Sequence, residues 1–271
     1  MSPQGAPVNA VEHEVFAIRY ARHDRTAAQN FIHPPGDHDA AMPMDYFVWL
    51  IRSASGRHVV VDTGFNAAAA QRRGREFLRC PTAGLALLGS DAAQVSDVVI
   101  THLHYDHAGN VDRFPSARFW LQESEMRFST GKYMCERFFT LAYHPEDVVA
   151  MVRKVFDGRV QFVDGDAELM PGVSLHWVGG HTGGLQIVRV RTQAGWLVLA
   201  SDLCHYYANR ALGSPFPIVF RPDQMLDGFK RAGALASHER LVVPGHDPDV
   251  MRRFAPEPAD PQFSVRLWQP L

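Results

Sequence analysis

Cysteine is scarce in this chain. Cys80, Cys135 and Cys204 are the three among 271 residues, and no two of them form a C-x-x-C pair. An odd, scattered set argues against a disulfide framework and fits reduced thiols in a cytoplasm. No apolar stretch reaches 18 residues, so no transmembrane helix is expected. The opening MSPQGAPVNAVEHEVF lacks a basic start followed by an apolar run, so no signal peptide is expected. Excess charge is missing too: the formal net charge is −2. Neither nucleic acid nor an anionic membrane is therefore expected as the main partner. One local basic run, Arg72, Arg73, Arg75 and Arg79, reads as the solvated face of a helix. Internal repeats and low-complexity segments are absent as well.

What remains is an ordinary globular composition, 46% hydrophobic and 21% charged, in a chain long enough to bury a substantial core. Residues 1–10 read as a flexible N-terminal tail and 11–271 as one domain. Residues 45–65 read as strand, turn, strand, with two apolar runs flanking Ser53–Gly56. Residues 66–79 read as helix, Val98–Ile100 as a short buried strand, and 117–125 as strand then helix. The aromatic stretch 126–158 reads as a mostly helical insertion. Two or three strands follow in 159–180, two more in 185–192 and 195–202, an amphipathic helix in 224–236 and a last buried strand before His246. Strands recur in both halves with helices between, which predicts an α/β fold of packed sheets with helices outside.

The chemistry concentrates in the loops that follow these strands. THLHYDHAGN, residues 101–110, holds His102, His104, Asp106 and His107. Nothing in core packing asks for H-x-H-x-D-H, whereas divalent metals take neutral imidazole and carboxylate. In an extended segment His102 and His104 point the same way and can grip one ion. Asp106 and His107 follow the turn and can reach a second. His181 in GGHTGG, Asp202 at the end of WLVLASD and His246 in PGHD each follow an apolar run, where rigid elements hold functional side chains. Asp202 has two carboxylate oxygens and is the candidate bridge. Glycines beside His181 and His246 are expected to let the backbone approach the metals.

H-x-H-x-D-H, then G-H-T, then a strand-ending Asp, then G-H, in this order, resembles the metallo-β-lactamase superfamily, and Asp62-Thr63-Gly64 fits that family's early strand end. The match spans about residues 45–247. The resemblance implies an αββα sandwich of two mixed β-sheets flanked by helices. It implies that His102, His104 and His181 bind one metal, that Asp106, His107 and His246 bind the second, and that Asp202 bridges, with Asp62 steadying the histidine loop. Two divalent ions, zinc foremost with iron, manganese or cobalt as alternatives, would supply a bridging hydroxide that attacks a carbonyl.

Within the superfamily, length and motifs resemble the acyl-homoserine lactonase branch. Segment 11–44 resembles the extra N-terminal region of those lactonases. The resemblance implies opening of a lactone ring, either an acyl-homoserine lactone or a related aromatic lactone. The alternative is hydrolysis of a cyclic amide or, as in glyoxalase II, a thioester. Those lactonases place a tyrosine three residues after the bridging Asp; here that position is His205, followed by Tyr206 and Tyr207. His205 could serve as general acid or donate to an oxyanion, or a neighbouring tyrosine could take that role. Phe138, Phe139, Tyr143, Phe216 and Phe220 could wall a site for a small molecule with an apolar or aromatic part. Apolar residues of the N-terminal region could support a homodimer.

Overall fold

The computed structural model describes residues 11–271; the expected tail at 1–10 lies outside them. The chain first lays down one sheet: β1 (His13–His23), β2 (Met44–Ser53), β3 (His58–Val61), β4 (Glu76–Phe77), β5 (Asp97–Val99), β6 (Arg118–Gln122) and β7 (Val160–Val163). It then builds a second from β8 (Ala167–Met170), β9 (Val173–Trp177), β10 (Gln186–Thr192), β11 (Gly195–Ser201) and β12 (Val242–Pro244). Finally it returns to the first with β13 (Phe254–Pro256) and β14 (Ser264–Pro270). The first sheet runs β13-β14-β1-β2-β3-β5-β6-β7, with β4 pairing β1; the second runs β12-β11-β10-β9-β8. Both are mixed, as expected.

Strand periodicity explains the layers. In β2, Phe47, Trp49 and Ile51 face the second sheet, where they meet Leu175, Val188, Val190 and Leu199. The alternate residues Tyr46, Val48 and Leu50 face the other way, toward Leu85, Val148 and Met151 of the outer helices. On the far side Ile187, Val198 and Ala200 pack under Met225, Phe229 and Ala232 of helix Pro222–Leu235. The result is helix, sheet, sheet, helix. Each fully buried aliphatic side chain in these layers contributes roughly 1.5–3 kcal/mol of transfer free energy.

One expectation needs correction and two gain detail. Segment 11–44 contains β1, 11 residues long, between β14 and β2. Its period-2 pattern is hidden because Val15, Phe16, Ala17 and Ile18 are all buried between two apolar layers. The helix expected over 66–79 stops at Arg73, because Gly74 adopts a left-handed conformation (φ 63°) that caps it and turns the chain into β4. The insertion 126–158 is mostly helical, as expected, in short pieces with one longer helix, Pro145–Phe156.

The topology brings the functional loops to one edge. β3 and β5 are parallel, so Asp62 and the histidine loop leave the first sheet side by side. β11 and β12 are parallel, and β9 runs with them through antiparallel β10, so His181, Asp202 and His246 leave the second sheet in the same direction. Gln186 stitches the two edges together: its backbone N–H donates to Thr101 O (3.0 Å) and its side chain to Ile100 O (2.8 Å).

Candidate metal centre

All seven residues expected to hold metal meet at this edge, and all are buried. His102, His104, His181 and Asp202 form one group whose donor atoms lie within 4.8 Å of one another. Asp106, His107 and His246 form a second, and Asp202, His205 and His246 a third. Asp202 is the hub. Its Oδ1 lies 3.0 Å from His246 Nε2 and 3.1 Å from His107 Nε2; its Oδ2 lies 3.1 Å from His181 Nε2 and 3.1 Å from His205 Nε2.

The outer nitrogen of each imidazole fixes which way its lone pair points. His181 Nδ1 donates to Ile218 O (2.7 Å) and His246 Nδ1 to Asp45 O (2.9 Å). His107 Nδ1 donates to Asp62 Oδ2 (2.7 Å). Thr101 spends its hydroxyl proton on Asp62 Oδ2 (2.8 Å), so it accepts from His102 Nδ1 (3.1 Å). Four rings are thus held with Nδ1 protonated and the Nε2 lone pair turned inward. Those lone pairs meet carboxylate oxygens and one another: His104 Nδ1 sits 3.0 Å from both His102 Nε2 and His181 Nε2. His107 Nε2 is buried and has no hydrogen-bond partner among the described residues, though Asp202 Oδ1 lies 3.1 Å away. Facing acceptors at such distances need positive charge between them, and divalent cations fit that need.

Electrostatics point the same way. Burial and the neighbouring imidazoles hold His102 and His104 well below the ordinary histidine range, so both stay neutral. Burial alone would raise the Asp202 carboxyl, but His205, His107, His246 and His181 hold it well below the usual range. Burial would likewise lower His107, yet Asp202, Asp62 and Asp106 outweigh it and push it up. The charge those carboxylates demand of His107 is the charge a bound cation would bring.

Residues around the cluster set the loops. Asp62 sits at a left-handed φ of 61° and accepts from Thr101 N–H (2.8 Å), the Thr101 hydroxyl and His107. Sequence reasoning missed Glu125. It is fully buried and accepts from Leu103 N–H (2.9 Å), the Tyr143 hydroxyl (2.9 Å), the Thr182 hydroxyl (2.6 Å) and Gly184 N–H (3.0 Å). It therefore ties the His104 loop to the His181 loop. The glycines also admit neighbouring chain. A Cβ on Gly184 would fall 2.1 Å from Glu125 N, and one on Gly245 would fall 2.8 Å from the Ser201 backbone. The Gly245 Cβ would also crowd Asp202 Oδ1, at 3.0 Å.

The structure separates the three residues after the bridge. His205 lines the metal pocket and stacks flat on Phe216, with ring centroids 3.7 Å apart. The Tyr206 hydroxyl donates to Met42 O and Pro43 O, and the Tyr207 ring lies under Arg253. Both tyrosines line a different cavity. Cys204 is buried, which pushes its thiol up to about 12.

The pocket over the cluster has a volume of about 200 Å³ and includes Arg25, Tyr46, Arg73, Arg75, Tyr105 and Phe216. An adjoining cavity of about 60 Å³, sharing His104, His181, Leu141 and Ile218, is walled by Phe138, Phe139 and Tyr143. Phe220 instead packs on Phe128 at 4.7 Å. The basic run is not a solvated face: among its four arginines only Arg72 is exposed. Arg73 donates to Leu141 O (2.9 Å) and Tyr143 O (3.1 Å), Arg75 to the Tyr105 hydroxyl (3.2 Å), and Arg79 pairs with Asp260 at 2.5 Å.

Two layered sheets that gather neighbouring histidine–aspartate ligand sets at one loop edge define a class, the αββα metal-site proteins. The profile of the metallo-beta-lactamase superfamily matches residues 42–247, and the chain belongs to that superfamily. N-acyl homoserine lactonase AttM of Rhizobium radiobacter is 29% identical over 184 residues, covering 63% of this chain and 65% of AttM. The chain thus spans less than two thirds of that relative's length. A quorum-quenching N-acyl homoserine lactone lactonase superimposes with a TM-score of 0.70 at 22% identity, covering 89% of this chain and 94% of the other. AidC, a dizinc quorum-quenching lactonase in complex with a product, gives 0.68 at 19% identity, covering 89% and 90%. These superpositions show a shared fold.

Proposed function

We propose that this protein is a dinuclear metal-dependent hydrolase that opens a lactone ring. The observation that carries the reading is the set of inward-facing imidazole lone pairs around Asp202, which no purely structural role for these histidines requires. The lactonase activity of AttM and of the superimposed enzymes supports the choice of substrate class.

His102, His104 and His181 would hold one cation, Asp106, His107 and His246 the other, and Asp202 both. Two divalent ions, zinc foremost, would supply Lewis acidity and a water acidified to near neutral pH. The chain's own residues do the rest. Asp62 fixes the His107 tautomer. Glu125 fixes the distance between the His104 and His181 loops. Leu141 and Ile218 give the pocket an apolar lining, continued by Phe138 in the adjoining cavity.

His205 is read as the donor to the developing oxyanion or leaving oxygen. Burial, partly offset by Asp202, pulls its imidazole down to about 3, and nearby cations would lower it further. At neutral pH it is therefore a neutral ring offering one N–H, a hydrogen-bond donor rather than a charged acid. Three reduced cysteines, and no helix long and apolar enough to cross a membrane among the described residues, are consistent with work in a cytoplasm.

The test is acid release by zinc- or manganese-loaded protein against N-acyl homoserine lactones, aromatic lactones, a cyclic amide and lactoylglutathione. Turnover confined to the lactones is the expected result. Turnover of only the amide or the thioester would move the function to that bond, and silence on all of them would sink the hydrolase reading.

A further inference from the structure

The metal pocket has two unlike kinds of lining. Leu141 and Ile218, with Phe138 in the adjoining cavity, stand 59%, 39% and 64% exposed, high for large apolar side chains. Arg25, Arg73 and Arg75, all half-buried, line the same pocket. Among the described residues none of these arginines has a carboxylate within 4.0 Å, although most other arginines of the chain do.

Each guanidinium is held rigidly by uncharged groups instead. Arg25 bonds Asn30 Oδ1 (2.6 Å) and the Gln29 carbonyl, and lies 5.0 Å over the Phe216 ring, whose other partner is His205. Arg73 lies 3.7 Å over the Tyr105 ring. Arg75 uses Nε and Nη1 on Tyr105, Arg73 O and His23. That leaves Nη1 of Arg25 and Nη2 of Arg75 with no protein acceptor among the described residues. Partly desolvated guanidinium groups with no carboxylate in contact are costly, and fixed N–H donors at a cavity suit an oxyanion. An N-acyl homoserine lactone carries no such charge.

We propose that the pocket selects an amphipathic substrate bearing a carboxylate-class anion, held by Arg25 and Arg75, with its apolar part against Leu141, Ile218 and the neighbouring Phe138. The inference rests on the hydrolase reading above and narrows its substrate.

Two aromatic lactones test it: a phthalide bearing a ring carboxylate and the matching carboxamide, each offered to the metal-loaded protein. The carboxylate should be favoured by about tenfold or more in kcat/KM, mainly through KM, as expected for a charge-assisted contact. Raising the salt should shrink that preference. Arg25→Gln and, separately, Arg75→Gln should pull the ratio of the two substrates toward one. If Arg75→Gln does not fold, Arg25→Gln and the salt series still decide. Equal kcat/KM for the pair in the wild type would overturn the inference and leave the hydrolase reading standing. So would variants that lose equally on both substrates, because arginines that only brace loops would act that way. If neither phthalide is turned over, the hydrolase reading is judged by the wider panel above. Calorimetric titration of the same two compounds then still judges the arginines, and equal affinity would overturn the inference.

Discussion

Two cavities share the segment 202–210, and they differ in kind. The larger, about 1090 Å³, is lined by Tyr206, Tyr207, Arg210, Arg240 and Arg253. The smaller, about 200 Å³, is lined by His104, Asp106, His181, Asp202, His205 and His246. By size alone the larger would be the site. What sets the smaller apart is inward lone pairs and buried carboxylates in demand of cations. The larger holds no histidine–carboxylate cluster among the described residues, and its Arg210 and Arg253 are paired with Glu239 and Asp249. A one-residue step, from His205 to Tyr206, crosses from one to the other.

The sharpest way to break that contrast is at the hub. Asp202→Ala should lower turnover by at least about a thousandfold, since every other ligand side chain is arranged around this carboxylate. Metal analysis should find fewer than two ions per chain. Near-normal turnover with both ions retained would remove Asp202 from the centre.

His205→Phe comes next. Losing a preorganised donor to a developing oxyanion costs about a hundredfold or more in kcat, and Phe preserves the stack on Phe216. The metal content should stay at two ions. Loss of one ion would instead assign His205 to the third ligand grouping, Asp202 with His205 and His246. An unchanged rate would make it a bystander.

Asp62→Asn acts one layer out and should cost less. Asn tolerates the left-handed φ at this position, so the backbone survives. The amide cannot accept from both Thr101 and His107 as the carboxylate does. His107 then loses the partner that holds its proton on Nδ1, and its lone pair no longer points inward. Metal affinity should fall about 10–100-fold, the usual effect of losing such a support. Competition with a chelator checks it, and unchanged affinity would show that the loop is held without Asp62.

Legibility in the sequence followed the same division. The ligands were readable because H-x-H-x-D-H has no packing explanation and each later ligand ends an apolar run. The layered α/β architecture was readable from where strands recur. β1 was not, since burial between two apolar layers erases alternation. Glu125 was not, since its four partners come from distant loops. The arginines were misread because a charge run in sequence looks solvated. Only the fold carries Arg73 beneath Leu141 O and Arg75 against Tyr105. Nor could spacing separate His205 from Tyr206 and Tyr207; which side of a loop each faces is a tertiary fact.

The smallest expected effect tests that last point. Tyr206→Phe removes a hydroxyl that donates only to Met42 O and Pro43 O, at 3.4 and 3.3 Å. Tyr207→Phe removes a buried hydroxyl with no partner. Neither change touches the metal pocket, so kcat/KM should stay within about threefold of wild type. Stability should diverge instead. The Tyr207 change should be neutral or slightly stabilising, because an unsatisfied buried hydroxyl is a cost. The Tyr206 change should lose about 0.5–1.5 kcal/mol, the net worth of a hydrogen bond, read as a shift in denaturant midpoint. A tenfold or greater fall in kcat/KM for either variant, with stability unchanged, would mean that a tyrosine reaches the substrate after all and that the two cavities work as one.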